Sequence, residues 1–243
     1  MIQTHESVIS FLKRDFLKNM NMIYFMEDNP VASLERIGDA VMMRGESDHP
    51  WVYISAAGRK DLDRIISRLN RNDRYFAVVE DWMIPSLMHC ATLNWKLSAM
   101  KYILPVQKSL PAVSSRLVSP LTTEDADYIY AHSNYQAAVS PVYIRERIRK
   151  GPACGIRKDG KLLAWAMTHD DGAIGFLHVL ESFRKQGLAM NLMLYLVAKV
   201  RSTGRMPFGQ IEEENTPSIR LIRKLGFQGD RRVHWMELGY EQG

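Results

Sequence analysis

The segment Gly175–Val200 limits the possible folds more than any other part of the chain. A short apolar run, Gly175-Phe-Leu-His-Val-Leu180, passes through a polar turn into a stretch where Leu188, Leu192, Leu196 and Val200 recur, flanked by Ala189, Met193 and Val197. That spacing gives a helix with a broad apolar face, and such a face has to be covered by a sheet. A strand feeding a helix of this kind through a tight turn is an α/β unit.

The rest of the chain continues the mixture. Thr4 is placed to cap a helix carrying Val8, Phe11, Leu12 and Phe16. Ala40–Arg44 and Trp51–Ser55 read as strands, followed after Gly58 by an amphipathic helix with Leu62, Ile65, Ile66 and Leu69 on one face. Tyr75–Val79 is strand-like, Met83–Cys90 a short helix and Trp95–Leu104 a longer strand. Residues 105–120 hold three prolines and four serines without a sustained period, which marks a domain boundary. The expected division is residues 1–106, a linker at 107–120, and residues 121–243. Beyond it, Leu121-Thr-Thr-Glu124 has the form of a capping box, and a helix follows around Tyr143–Lys150. Ala153–Lys158 and Leu162–Thr168 flank Asp159-Gly160 as a hairpin. Pro207–Glu212 is a strand, Thr216–Leu225 a helix and Arg232–Leu238 a last strand.

Composition removes several function classes. Two cysteines far apart, Cys90 and Cys154, make neither a disulfide framework nor a metal-ligand spacing, so a reducing compartment such as the cytoplasm is expected, with no metal. No run reaches the roughly eighteen apolar residues a membrane span needs. The net charge of +5 fits a polyanionic small ligand or a nucleic acid. The densest basic run, Arg145–Lys150, is broken by Glu146 and reads as the solvated face of a helix, so nucleic acid is not expected as a partner. The methionines at 20, 22 and 26 read as core, and Cys154 as a buried, inert thiol with no base beside it.

The chemistry concentrates at Arg184-Lys185-Gln186-Gly187-Leu188-Ala189. A turn of this kind between strand and helix presents successive backbone N–H groups at the positive end of the helix, a ready site for a pyrophosphate. Gly187 allows close backbone approach, Ala189 keeps the helix start open, and Arg184 and Lys185 add positive charge. Downstream, Glu212-Glu-Glu-Asn215-Thr-Pro-Ser218 leads to Lys224-Leu-Gly226-Phe227, with Pro217 in a first helical turn and Gly226 ending the helix.

Together, Leu-x-Val-x-x-x-x-Arg-x-x-Gly-x-Ala at Leu177–Ala189 and Glu-x-x-Asn-x-x-Ser-x-x-Leu-x-x-x-x-Gly-Phe at Glu212–Phe227 resemble the GNAT superfamily of acyl-CoA N-acyltransferases, over roughly residues 120–240. The gap between the two motifs, Trp235 near the end, and a preceding α/β half without its own loop motif resemble the glycine N-acyltransferase branch. The resemblance implies two tandem GNAT-like domains, each a mixed, mostly antiparallel sheet flanked by helices, with the N-terminal one degenerate. It implies acetyl-CoA or another acyl-CoA as co-substrate and a small primary amine, an amino acid or related metabolite, as acceptor, attacked directly. Leu177 and Val179 would pair through their backbone with the pantetheine, and one of their N–H groups would polarise the thioester carbonyl. Arg184, Lys185, Gln186, Gly187, Leu188 and Ala189 would hold the pyrophosphate, and Asn215 would bond the pantetheine from the other side, with Ser218 nearby.

Two departures from the family stand out. The position of the usual acid tyrosine is Ile222, and the position of the branch's glutamate base is Ala173. Glu212 and His178 are then the candidates for moving the amine's proton. A non-catalytic acyl-CoA-binding sensor is the alternative that these losses leave open.

Overall fold

A computed structural model describes residues 5–111, 117–133, 136 and 139–240. Thr4 and residues 112–116 of the expected linker lie outside them. In chain order the elements are α1 (His5–Leu12), α2 (Phe16–Asp28), β1 (Val31–Ile37), β2 (Ala40–Glu46), β3 (Pro50–Ser55), α3 (Arg59–Ile66), β4 (Tyr75–Glu80), α4 (Ile84–Leu87) and β5 (Thr92–Ile103). Then follow β6 (Ser119–Pro120), α5 (Ala126–Ala131), α6 (Pro141–Lys150), β7 (Ala153–Lys158), β8 (Lys161–Thr168), β9 (Ile174–Val179), α7 (Leu188–Ser202), β10 (Phe208–Ile211), α8 (Thr216–Lys224) and β11 (Gln228–Gly239).

The chain forms two compact units, Met1–Met100 with Arg231–Gly243, and Lys101–Asp230. This differs from a division at the proline-rich segment, because the last strand makes its ladder with β4 of the first unit, Val233 opposite Glu80 and Glu237 opposite Tyr75. Composition marks where a chain turns irregular, whereas strand pairing is non-local.

In the first unit the strands lie in the order β1-β2-β3-β4-β11-β5. β1, β2 and β3 are antiparallel neighbours, β3 and β4 are parallel, and β4 and β11 antiparallel. Its core joins Met42, Val52 and Phe76 of the sheet with Leu62 and Ile65 of α3 and Met83 and Leu87 around α4. β1 carries no strict alternation in burial, and sequence reasoning missed it. Met20 and Met22 of α2 are buried, as their pattern suggested.

In the second unit β6-β7-β8-β9 form an antiparallel sheet. The β7–β8 hairpin turns at Asp159 and Gly160, both with positive φ, which is the two-residue geometry matching strand twist. α7 packs on β7, β8 and β9, burying Leu192, Leu196 and Val197. A separate cluster joins Ile129 of α5 and Ile144 of α6 to Trp165 and Met167 of β8. Lys101 and Asp230, the first and last residues of the unit, are paired at 3.2 Å.

Two local readings change. The capping box uses Thr122 and Asp125 rather than Glu124, around a short 3-10 turn before α5. The basic run is not wholly solvated: Arg147 is 1% exposed, with its guanidinium 5.5 Å from the Tyr143 ring centre. It lies on the inward face of α6 one turn from Tyr143 and Ile144, which are buried as well. The two halves of the chain, as distinct from the two units, repeat one order of elements, two helices, three strands, helix, strand, helix, strand, from α1 to β5 and from α5 to β11.

Candidate functional site

β9 joins α7 through the turn that the sequence singled out. Gly187 is the residue before the first helical one and sits at φ 78°, ψ 2°. Lys185 has φ 62°. Left-handed residues alternating with ordinary ones turn successive N–H groups inward to make an anion-binding concavity. The first N–H groups of α7 add to it, since a helix start leaves them without intrahelical acceptors. A Cβ placed on Gly187 would meet nothing within 4 Å, so the glycine is required by its φ rather than by crowding inside the protein. Arg184, Lys185, Gln186 and Gly187 are exposed, and Leu188 and Ala189 half-buried. Arg184 Nε donates to Val179 O at 3.2 Å, which holds its guanidinium back along the strand end.

β9 is irregular where it matters. Its ladder with β8 shifts register between Trp165 and Met167, and Phe176 takes φ 50°. An aromatic residue in the left-handed region costs about 1–3 kcal/mol and persists only where the surroundings enforce it. Leu180 N donates to Leu163 O at 2.9 Å, so the N–H groups of Leu180 and His178 face β8. By strand alternation, those of Leu177 and Val179 point out of the opposite edge of β9.

That opposite edge faces β10, and here the sheet divides. β9 and β10 touch, yet they belong to different sheets. They meet at their starts, where a Cβ on Gly209 would lie 2.8 Å from Ile174 O. Gln210 Nε2 donates to Asp171 Oδ2 at 3.0 Å at the same end. From there both strands pass from buried to half-buried residues: Ile174 to Val179, and Phe208 to Ile211. The result is a fork closed at Ile174 and Gly209 and opening toward the α7 N-terminus, lined on one side by the outward N–H groups of Leu177 and Val179.

Asn215 caps α8, its Oδ1 accepting from Ser218 N at 3.2 Å, so these two residues serve the helix start beside the fork. Glu212 follows β10 and is half-buried, with its carbonyl accepting from Asn215 N at 3.0 Å. Ile222 is 3% exposed, a core position. Ala173 is buried in the turn before β9, its N–H donating to Asp171 Oδ1 at 3.0 Å.

His178 lies on the α5 side of β9. Its ring stacks on Trp165 at 4.5 Å and 14°. Burial, helped by the charges of Arg184 and His132, pushes its pKa below the ordinary imidazole range. Tyr128 and His132, stacked at 4.1 Å, meet Trp165 edge-on. His132 Nδ1 donates to Tyr128 O at 2.8 Å, which leaves Nε2 as the acceptor of the neutral ring. These two aromatics, the Asp171–Gln210 bond and the bend at Phe176 were missed from sequence, because none follows from periodicity or spacing. Cys154 is buried, its thiol pushed up to about 12 by burial, which agrees with an inert core cysteine. Among the described residues no three His, Cys, Asp or Glu side chains form a metal-binding group, and no helix is long and apolar enough to cross a membrane.

Residues 153–236 match the family of FR47-like proteins. No curated protein sequence matches the chain. Among solved structures, a Drosophila protein aligns with TM-score 0.72 and 16% identity, covering 98% of this chain and 91% of that one. A GNAT-family acetyltransferase, named as putative, from Novosphingobium aromaticivorans aligns with TM-score 0.58 and 19% identity over 89% and 93% of the two chains. A tandem GNAT protein from the clavulanic acid biosynthesis pathway aligns with TM-score 0.51 and 16% identity over 93% and 89%. The chain therefore has the mixed α/β fold of GNAT acetyltransferase structures, and its FR47-like segment spans β7 to β11, the part that contains the fork.

Proposed function

We propose that the protein is an N-acyltransferase that moves an acetyl or other short acyl group from acyl-CoA to the primary amine of a small acceptor, an amino acid or related metabolite. The observation that carries this reading is the fork between β9 and β10, with the Arg184–Ala189 turn at its open end. A fork with unpaired strand edges takes an extended, amide-containing arm by backbone hydrogen bonding, and an adjacent helix N-terminus takes its phosphates. Pantetheine pyrophosphate has both parts. The repeated element order fits two tandem GNAT-like domains with the N-terminal one degenerate: β3 reaches α3 through only Ala56–Gly58, too short for a phosphate turn.

In this reading the amine nitrogen attacks the thioester carbonyl, the C–N bond forms, the C–S bond breaks, and CoA leaves as the thiol after gaining a proton. The N–H of Leu177 or Val179 stabilises the developing oxyanion. His178, held neutral by burial, accepts the amine's proton, and Glu212 at the end of β10 is the other candidate. The burial of Ile222 where relatives carry an acid tyrosine favours one second reading, an acyl-CoA-binding sensor without turnover.

The test is CoA-thiol release from acetyl-CoA, and from longer acyl-CoA, across a panel of amino acids and simple amines. Release that depends on the amine supports the enzyme. Binding of acyl-CoA with no release on any amine supports the sensor.

A further inference from the structure

β5 lies between β11 and β10 in its sheet, and it is twelve residues long against four for β10. β11 occupies one edge of β5, as Thr92 Oγ1 donates to Gly239 O at 3.1 Å and Ser98 Oγ pairs with His234 Nδ1 at 2.8 Å. Every residue from Thr92 to Leu97 is exposed. Within the second unit, Leu104 N, just past the end of β5, donates to Pro207 O, just before β10, at 2.9 Å, at the opposite end of the strand from Thr92–Leu97. Leu93, Trp95 and Leu97 therefore share one face of an open edge at 37%, 37% and 38% exposure, with Trp95 edge-on to Trp51 at 6.5 Å. A long edge strand with an exposed apolar row is a template for another strand unless charge, proline or a bulge blunts it. Between Thr92 and Ser98 there is no proline and one charge, Lys96.

We propose that this edge is the interface with a second copy of the chain, β5 pairing antiparallel with β5 about a two-fold axis at Trp95. In that register Trp95 faces Trp95, Leu93 faces Leu97, and Lys96 faces the neutral Asn94 of the other copy. Apolar residues meet apolar residues on one face, polar meet polar on the other, and the single charge of the segment never meets its own image. A two-fold interface has to be self-complementary in this way. Cross-strand aromatic and aliphatic pairs supply the gain, and the open row of N–H and C=O groups is satisfied.

Sedimentation velocity on the full chain over a wide concentration range tests it. The wild-type protein is expected to be a dimer. Asn94→Lys sets like charges opposite each other at two symmetric places and is expected to weaken the dimer about tenfold or more. Adding Lys96→Glu to that variant turns both places into opposite-charge pairs and is expected to restore it. Both residues are exposed in the wild-type strand, and unchanged thermal melts establish that the fold is intact. A wild-type protein that stays monomeric throughout overturns the proposal, as does a dimer indifferent to Asn94→Lys.

Discussion

At the scale of single residues, His178 links burial to proton chemistry. Its pKa lies below the ordinary value of 6.5, first because its ring is partly removed from water against Trp165 and then because Arg184 and His132 are nearby. A histidine whose folded pKa is lowered is neutral at physiological pH and ready to accept a proton. The rate of acyl transfer is therefore expected to be flat through neutral pH and to fall only on acidification below 6.5, with that acid limb removed in His178→Gln. Measurement of kcat/KM against pH for both proteins checks this, and an unchanged limb in the variant assigns the proton to Glu212 or to solvent. Stability follows the same sign. Below pH 6.5 the unfolded chain binds a proton that the folded ring resists, so this group lowers stability as pH falls.

At the scale of elements, the fork depends on two strands that touch at one end and part at the other. Gly209 is what permits the close end: a methyl group there would lie 2.8 Å from Ile174 O, a backbone atom with little room to give. Gly209→Ala is expected to destabilise the protein by about 1–3 kcal/mol, read by urea denaturation, and to weaken acetyl-CoA binding because the strands are pushed apart where they meet. The strand, turn and helix around this fork were legible in the sequence, since Leu188, Leu192, Leu196 and Val200 fix the helical period and glycine marks the turn. The bend at Phe176 was not, because nothing local favours a positive φ for phenylalanine. It is imposed by the neighbouring ladder. Asn215 and Ser218 were singled out for binding, and their mutual bond shows a capping role that the same residue types serve equally well.

At the scale of the whole molecule, the amino-acid pattern gives an α/β chain with two halves but not the partition of its last strand. Residues 231–243 belong to the first unit, where Val233, His234, Met236 and Glu237 ladder onto β4. Removing them is expected to expose the β4 edge and to cost protection of the β4 amides in hydrogen exchange, far from them in sequence. Unchanged protection in β4 would contradict the partition. The central claim, that the Arg184–Ala189 turn and the fork beside it receive an acyl-CoA, is tested most directly by calorimetric titration of acetyl-CoA into the wild-type chain and into Gly187→Glu. The account expects saturable binding by the wild type and its loss in the variant, where a carboxylate and a strained φ occupy the phosphate cradle. Absence of binding by the wild type to acetyl-CoA and to longer acyl-CoA, or equal binding by the variant, would contradict it.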